Sequence, residues 1–302
     1  LNQGVKPQVF TPANLPPPVP GRLRYGVLGF PVAHSLSPAM QEAGFRALGI
    51  QAEYLRLEIP GPALATALPT LRQAGFHGWN CTLPHKEAMF TLCEETDATA
   101  KESGSANTVV VSKHGLRGYS TDADGWEDAL AERWKLNLTT QRILLLGCGG
   151  VGRTLAIRLV KKGCCDLLLA NRSPEKATRL AKEIMPIAKG PVSVVEWNPK
   201  SLKKALSQTD LVIQATSLGL SPNDPSPLPE DGLRPGLKIF DTVYGKDSTP
   251  LVRLARTRGA DAMDGLGMLL HQGVRALAIW TGRPAPVSVM REALEKEAGR
   301  TL

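Results

Sequence analysis

Arg142-Ile143-Leu144-Leu145-Leu146-Gly147-Cys148-Gly149-Gly150-Val151-Gly152 decides how this chain is read. An apolar run of strand character ends in a G-x-G-x-x-G turn and opens an amphipathic stretch, the strand-turn-helix setting that gives the fingerprint physical meaning. Gly147 allows the tight turn, Gly149 lets the backbone approach a pyrophosphate, and Gly152 permits close packing of helix on strand. The unpaired amides of the helix start, Gly150 and Val151 among them, and the helix dipole then hold the anion. A dinucleotide is the implied ligand. The competing reading, a glycine-rich turn without a ligand, leaves the ordered context unexplained.

The end of the next strand separates NAD from NADP. An NAD site asks for an acid about 20 residues after the first glycine, at the carboxyl end of that strand. Asp166 instead opens the run Asp166-Leu167-Leu168-Leu169-Ala170. At about 3.3 Å per residue it lies some 16 Å from the far end, out of reach of a ribose. The far end reads Asn171-Arg172-Ser173-Pro174-Glu175-Lys176, an amide, a hydroxyl and two cations where an adenosine 2′-phosphate would lie. NADP is the expected cofactor, because the planar guanidinium fork donates two parallel charge-assisted bonds to phosphate. The same residues also read as a helix start, with Ser173 as N-cap, Pro174 at the first helical position, and Arg172 and Lys176 solvated.

Around this unit the chain is 302 residues long, enough for two domains with separate cores. No stretch approaches about 18 uninterrupted apolar residues and no signal peptide is visible, so no membrane attachment and a cytoplasmic location are expected. The net charge of +8 comes from dispersed Lys and Arg without interleaved aromatics, which argues against a nucleic-acid partner and fits an anionic substrate with a phosphorylated cofactor. Five cysteines without C-x-x-C or His/Cys spacing fit a reducing compartment, and no metal site is expected. Cys148, before a helix N-terminus, reads either as a thiol of lowered pKa or as a small residue in a tight turn. Residues 1–21 hold Pro7, Pro12, Pro16, Pro17, Pro18 and Pro20 and read as an extended or disordered lead-in. The start at Leu1 fits a processed or trimmed product.

Elements alternate from Arg24 onward. Strands are expected at 25–29, 52–59, 78–83, 107–111 and 116–119, with helices at 38–48, 62–74 and 124–134. The cofactor unit continues with strands at 142–147, 166–171, 192–197, 210–215 and 237–243, a parallel, doubly wound pattern. Helices close the chain at 266–281 and 286–297. Two α/β units in series predict a cleft between them, with ligands at the carboxyl ends of strands.

Polar clusters stand at such ends in the first half. Gly29-Phe30-Pro31-Val32-Ala33-His34-Ser35-Leu36-Ser37-Pro38 puts two hydroxyls beside a helix start, suited to a carboxylate; alternatively Ser37 caps that helix and Ser35 decorates the turn. Asn80-Cys81-Thr82-Leu83-Pro84-His85-Lys86, Ser105-Ala106-Asn107-Thr108 and Ser120-Thr121-Asp122-Ala123-Asp124-Gly125 add amides, a lysine and a carboxylate. This is the equipment of proton-coupled chemistry on a polyhydroxylated small molecule.

From about Tyr25 to Gly282 these motifs, in order, resemble the shikimate dehydrogenase family. The resemblance implies an α/β protein of two domains: a substrate domain over 22–122, completed by C-terminal helices within 265–302, and a Rossmann-like NADP-binding domain over 123–264. It implies reversible reduction of 3-dehydroshikimate by NADPH. Ser35 and Ser37 fall on the family's carboxylate-binding serines, and Asn80, Thr82 and Lys86 on its N-x-T-x-x-x-K stretch. Asn107 falls on N-T-V and Asp122 on T-D, making Lys86 and Asp122 the implied catalytic pair. In the second domain the resemblance assigns Gly147, Gly149, Gly150, Val151 and Gly152 to the cofactor loop and Asn171, Arg172, Ser173 and Lys176 to the 2′-phosphate. It places Ala215, Thr216 and Ser217 in the turn near the nicotinamide, and Val243 and Tyr244 in D-x-V-Y. Gly265 and Met268 begin the helix that returns Gln272 to the substrate; Tyr244 and Gln272 are implied substrate contacts. A monomer or homodimer is implied.

Four places depart from the family pattern: Ser120 and Gln214 each replace a usual Asn, Leu220 a common Met, and Gln41-Glu42 a common His-Asn. Two other functions keep the same fold. A quinate-preferring enzyme would need room for one more hydroxyl near the carboxylate, and Ser37 and Thr82 both occupy that room. A non-catalytic NADP-responsive regulator would have no use for Lys86 and Asp122 together.

Overall fold

The computed structural model describes residues 8–221, 223–245 and 247–302, so the first seven residues of the expected lead-in lie outside the described residues. The chain forms two compact units, one running to Gly125 and including Leu269–Thr301, the other spanning Trp126–Met268.

The first unit holds β1 (Val9–Phe10), β2 (Leu23–Gly29), α1 (Ser37–Ala47), β3 (Ala52–Glu58), α2 (Leu64–Gln73), β4 (Phe76–Cys81), α3 (Lys86–Leu92), β5 (Glu95–Thr96), α4 (Ala98–Ser103), β6 (Thr108–Ser112) and β7 (Gly115–Tyr119), and α5 (Asp122–Arg133) begins in it. Its seven-stranded sheet has the order β1-β3-β2-β4-β6-β7-β5. β1, β3, β2 and β4 run parallel, whereas β6 is antiparallel to both β4 and β7. The sequence periodicity did not show this reversal. A tight turn at Lys113-His114 links β6 to β7, and only an antiparallel pair can be joined so closely. Leu28, Leu57, Leu71, Trp79 and Val109 have no solvent exposure and form the centre of the core.

The described part of the lead-in is extended but tied down. Val9 and Phe10 add an edge strand opposite Arg56 and Leu57, and the Phe10 side chain enters the core. The Arg24 guanidinium, 1% exposed, donates to the carbonyls of Pro16 and Pro17 and pairs with Glu53 at 2.6 Å. A terminal segment held this way is ordered by the partners of its backbone, not by its own propensity.

The second unit contains β8 (Arg142–Leu146), α6 (Gly150–Lys161), β9 (Asp166–Ala170), α7 (Pro174–Ile184), β10 (Val192–Val195), α8 (Pro199–Leu206), β11 (Leu211–Gln214), β12 (Lys238–Asp241), α9 (Pro250–Thr257) and β13 (Asp261–Met263). The sheet is parallel throughout with the order β10-β9-β8-β11-β12-β13. Ile143 through Leu146 are all at zero exposure, as befits a central parallel strand covered on both faces. Strand order reverses between β8 and β11, the switch point at which doubly wound sheets take ligands. The amides of Gly147 and Ala215 are held on the two sides of β8's end, by Ala170 O at 2.8 Å and Leu146 O at 2.7 Å.

α10 (Leu266–Thr281) and α11 (Val287–Ala298) complete the chain, and α11 packs on α1. No helix among the described residues is long and apolar enough to cross a membrane.

Candidate active site

Sheet register in the first unit assembles the polar clusters. Val27 of β2 lies between Arg56 of β3 and Asn80 of β4; Asn80 pairs with Thr108 of β6, and Thr108 with Tyr119 of β7. One transverse row therefore crosses five strands, and paired residues in such a row project to the same face. The residues one step beyond the row, Asn107 and Ser120-Thr121-Asp122, meet as a consequence.

Asn107, 1% exposed, is the hub. The two N–H groups of its Nδ2 are shared among Asp122 Oδ1 at 2.9 Å, Thr121 Oγ1 at 3.0 Å and Gln272 Oε1 at 3.0 Å, and its Oδ1 accepts from the Thr121 amide at 2.8 Å. Gln272 arrives because Gly125 has no side chain: a Cβ there would stand 2.6 Å from the Gln272 amide nitrogen. Lys86 Nζ donates to Asp122 Oδ2 at 2.7 Å, with side-chain exposures of 16% and 4%. Each of the two is the first residue of its helix, α3 and α5. The helix dipole favours the carboxylate there and disfavours the ammonium, so Asp122 offsets an unfavourable position for Lys86. The Lys86 carbonyl accepts from the Ala106 amide at 2.9 Å, which ties the lysine's helix to the segment carrying Asn107.

Asn80 has protein partners on both amide atoms, with one lone pair of Oδ1 left over. Its Oδ1 accepts from Tyr54 Oη at 2.7 Å, and its Nδ2 donates to Thr108 Oγ1 at 2.9 Å and Asn107 O at 3.1 Å. Thr82 is half-buried at the end of β4, with its amide on Leu28 O. Ser35 and Ser37 are buried, and the Ser37 amide donates to Ser35 Oγ at 3.3 Å. The capping alternative for Ser37 does not hold: Leu36 occupies the N-cap position and Ser37 is already helical, so its hydroxyl caps nothing. His85, between Pro84 and Lys86, is 1% exposed; burial holds its pKa below the ordinary histidine range, against a contact with the Ile59 backbone that acts the other way.

The departures from the family pattern have local consequences. Ser120 is buried, its hydroxyl finds no partner among the described residues, and its carbonyl accepts from Thr99 Oγ1 at 2.8 Å. Gln214 clips the turn after β11: Oε1 accepts from the Thr216 amide at 2.6 Å and Nε2 donates to Leu218 O at 2.8 Å. Gln41 Nε2 donates to Gly273 O at 3.0 Å, while Leu220 stands exposed.

In the second unit, Gly147 takes φ +96°, and a Cβ on Gly152 would stand 1.9 Å from the Gly147 carbonyl oxygen. A Cβ on Gly149 would meet nothing within 4 Å, so the loop leaves open space beside the start of α6, where Gly150 and Val151 present their amides. Asn171 holds the loop to the end of β9, accepting from the Cys148 amide at 2.9 Å and donating to Ser173 O at 3.0 Å. Ser173 occupies the N-cap position of α7, but its side chain makes no cap bond. Arg172, Ser173 and Lys176 are exposed, and among the described residues neither cation forms an ion pair. The open loop and two uncommitted cations fit NADP. Asp166 pairs with Arg142 at the opposite end of β9, as the reach argument requires. The lowered-pKa reading of Cys148 is overturned: burial pushes this thiol up to about 11.

Ala215, Thr216 and Ser217 form the turn after β11, with Thr216 Oγ1 accepting from the Leu218 amide at 3.1 Å. Val243 is buried, its amide on Asp241 Oδ1 at 3.0 Å and its carbonyl accepting from the Gly265 amide at 3.0 Å. Tyr244 follows it, and Met268 is buried in α10. Burial raises the Asp241 carboxyl to about 7, against hydrogen bonds from Thr249 and Val243 that favour the charged form. Among the described residues no group of three His, Cys, Asp or Glu side chains could hold a metal ion.

One residue quoted without a role, Thr121, and two passed over in the sequence, Tyr54 and Arg56, support this arrangement. Thr121 is held to Asn107 and, through Oγ1, to the Gln272 carbonyl at 3.1 Å. Tyr54 fixes Asn80. Arg56 donates to Ser35 O from Nε at 3.0 Å and from Nη2 at 2.8 Å. Tyr54 and Arg56 are spaced i, i+2 on one strand, and that alternation was the available signal.

Comparison with known proteins agrees with these motifs. The family model described as the shikimate dehydrogenase substrate binding domain matches residues 27–109, the shikimate / quinate 5-dehydrogenase model matches 129–220, and the shikimate 5'-dehydrogenase C-terminal domain matches 265–295. A shikimate dehydrogenase (NADP(+)) of Moorella thermoacetica is 40% identical over 274 residues, covering 90% of this chain and 92% of that protein. Among solved structures, shikimate dehydrogenase from Aquifex aeolicus superposes with a TM-score of 0.82 at 35% identity, covering 91% of this chain and 98% of that one. Shikimate 5-dehydrogenase from Thermus thermophilus, in complex with NADP(H) and shikimate, gives 0.80 at 36% identity, covering 91% and 99%.

Proposed function

The chain belongs to the shikimate dehydrogenase family, and on that premise we propose that it catalyses the reversible, NADP-dependent reduction of 3-dehydroshikimate to shikimate with Lys86 and Asp122 as its acid-base pair. When bound, NADPH supplies the hydride that adds to the ring carbonyl carbon. The chain's own work is on the oxygen. Lys86 Nζ gives that oxygen a proton as it gains negative charge, and the ammonium stabilises the charge before transfer. Asp122, held by Asn107, orients the ammonium and accepts from the new hydroxyl. In the oxidative direction the same pair takes the proton back.

The observation that carries this reading is the 2.7 Å contact between Lys86 and Asp122, with the carboxylate 4% exposed and its other oxygen bonded to Asn107. Asn107, Thr82, Asn80 and Gln272 serve the substrate hydroxyls, Ser35 and Ser37 serve its carboxylate, and Tyr244 is a further substrate contact. Gly147, Gly149, Gly150, Val151 and Gly152 hold the pyrophosphate, and Asn171, Arg172, Ser173 and Lys176 the 2′-phosphate. Ala215, Thr216, Ser217, Val243, Gly265 and Met268 line the nicotinamide end. A cytoplasmic protein, monomeric or homodimeric, completes the proposal.

Initial rates with shikimate and quinate, each against NADP and NAD, test it. The shikimate–NADP combination is expected to be fastest. Faster turnover of quinate would reassign the substrate, and absence of turnover in all four would leave only a binding role.

A further inference from the structure

We propose that Arg56 sets the affinity of the site for the anionic end of its substrate while touching only protein. This rests on the reading that Ser35 and Ser37 receive the substrate carboxylate. Arg56 stands in the transverse row that carries Asn80, two strands away across Val27, and its side chain is 14% exposed. Its guanidinium puts two donors on one carbonyl oxygen, that of Ser35. This carbonyl belongs to the segment between the two serine side chains, and the Ser37 amide rests on Ser35 Oγ. Gripping it fixes the turn that presents both hydroxyls.

A neutral donor could hold a carbonyl equally well. A permanent cation adds a positive field behind a pair of neutral hydroxyls that must bind an anion. Two carboxylates act on that charge, Glu297 of α11, 4.0 Å away and 47% exposed, and Glu42 of α1, 36% exposed and shared with Arg46, so water screens both and neutralisation is incomplete. His34 contributes no charge of its own, since burial and the neighbouring Arg56 both hold its pKa below the ordinary range. Arg56 is therefore a positioning residue with an electrostatic share. It should act on the binding of the carboxylate, not on the proton transfer at Lys86.

Steady-state kinetics of Arg56→Gln, Arg56→Lys, Glu297→Gln and Ser37→Ala separate the possibilities. Arg56→Gln is expected to raise KM for shikimate about ten-fold, leaving kcat and KM for NADP within about two-fold. Arg56→Lys, which keeps the charge and loses the fork, should recover part of that loss. Glu297→Gln should lower KM for shikimate about two-fold at low salt, a gain that salt removes. An unchanged KM in Arg56→Gln, or a loss confined to kcat, overturns the inference. If Arg56→Gln does not fold, Glu297→Gln decides: an unchanged KM for shikimate is then the overturning result. Ser37→Ala guards the premise. A raised KM there with Arg56→Gln unchanged sinks the inference alone, whereas an unchanged KM there sinks the carboxylate reading itself.

Discussion

Lys86 Nζ and Asp122 Oδ2 lie 2.7 Å apart across 36 positions of sequence, each at the first residue of a helix. The pair depends on β4 and β6 running antiparallel, because that pairing sets Asn80 beside Thr108 and brings Asn107 next to the carboxylate. An ion pair this far from solvent persists only if its remaining oxygens are bonded, and Asn107 supplies the bond.

Asn107→Ala should therefore act twice. It removes the acceptor of the Thr121 amide and a donor to Asp122, leaving buried polar groups unpaired. Stability should fall by about 1–3 kcal/mol, read by urea denaturation. Turnover should fall as well, because Asp122 is free to rotate away from Lys86. Retained stability together with retained kcat would remove Asn107 from the hub role.

Arg172→Ala addresses the cofactor. A hydrogen bond to a charged group contributes about 1.5–3 kcal/mol, or roughly ten- to a hundred-fold in affinity. KM for NADP is expected to rise by that factor while the slow rate with NAD stays unchanged. Equal losses with both cofactors would contradict the 2′-phosphate assignment.

Asp241 gives the second unit a pH dependence of definite sign. Its carboxyl titrates near 7 in the fold against about 3.9 in an unfolded chain. Between those values the folded protein holds a proton that the unfolded chain has lost. This contribution to stability is therefore complete below about pH 4 and is lost as pH rises to about 7. Asp241→Asn cannot titrate. The stability of this variant relative to the unsubstituted protein should rise from pH 5 to pH 7, on the order of 1 kcal/mol per unit, and level off above. Denaturant titrations across that range check it; a difference independent of pH would show that Asp241 titrates alike in both states.

Arg24→Met tests how the lead-in is held. The substitution strands Glu53, 13% exposed, and frees the carbonyls of Pro16, Pro17 and Ala74. Removing one partner of a buried pair costs about 3 kcal/mol. Denaturation should show that loss, and limited proteolysis should cut within residues 11–22 faster than before. Unchanged stability would mean that the segment is held by Phe10 and β1 alone.

Much of this was legible in the chain itself. The β8–α6 turn, the cations at the end of β9 and the order of the polar clusters depend on local spacing, which sequence displays directly. The parallel doubly wound unit follows from repeated apolar runs separated by helical stretches. The reversal at β6 and the short strands β1, β5 and β13 were not visible, because two or three residues cannot show alternation and pairing direction is a property of the partner strand. Tyr54 and Arg56 escaped for a related reason: each acts through another residue, Asn80 or Ser35, across strands that only the register brings together. Ser173, and in one alternative Ser37, read as helix caps from residue type, yet the Ser173 side chain makes no cap bond and Ser37 lies one residue inside its helix. Of the two readings of Cys148, the small residue in a tight turn stands, because burial of the thiol outweighs the nearby helix start.

The most direct measurement is a double-mutant cycle on kcat for shikimate oxidation with NADP, using Lys86→Ala, Asp122→Asn and the two combined. If the pair acts as one unit, Lys86→Ala lowers kcat by about two to four orders of magnitude, and the double variant is no slower than the slower single one. Near-normal turnover in Lys86→Ala, or losses that multiply in the double variant, would contradict the pairing on which this account of the reaction is built.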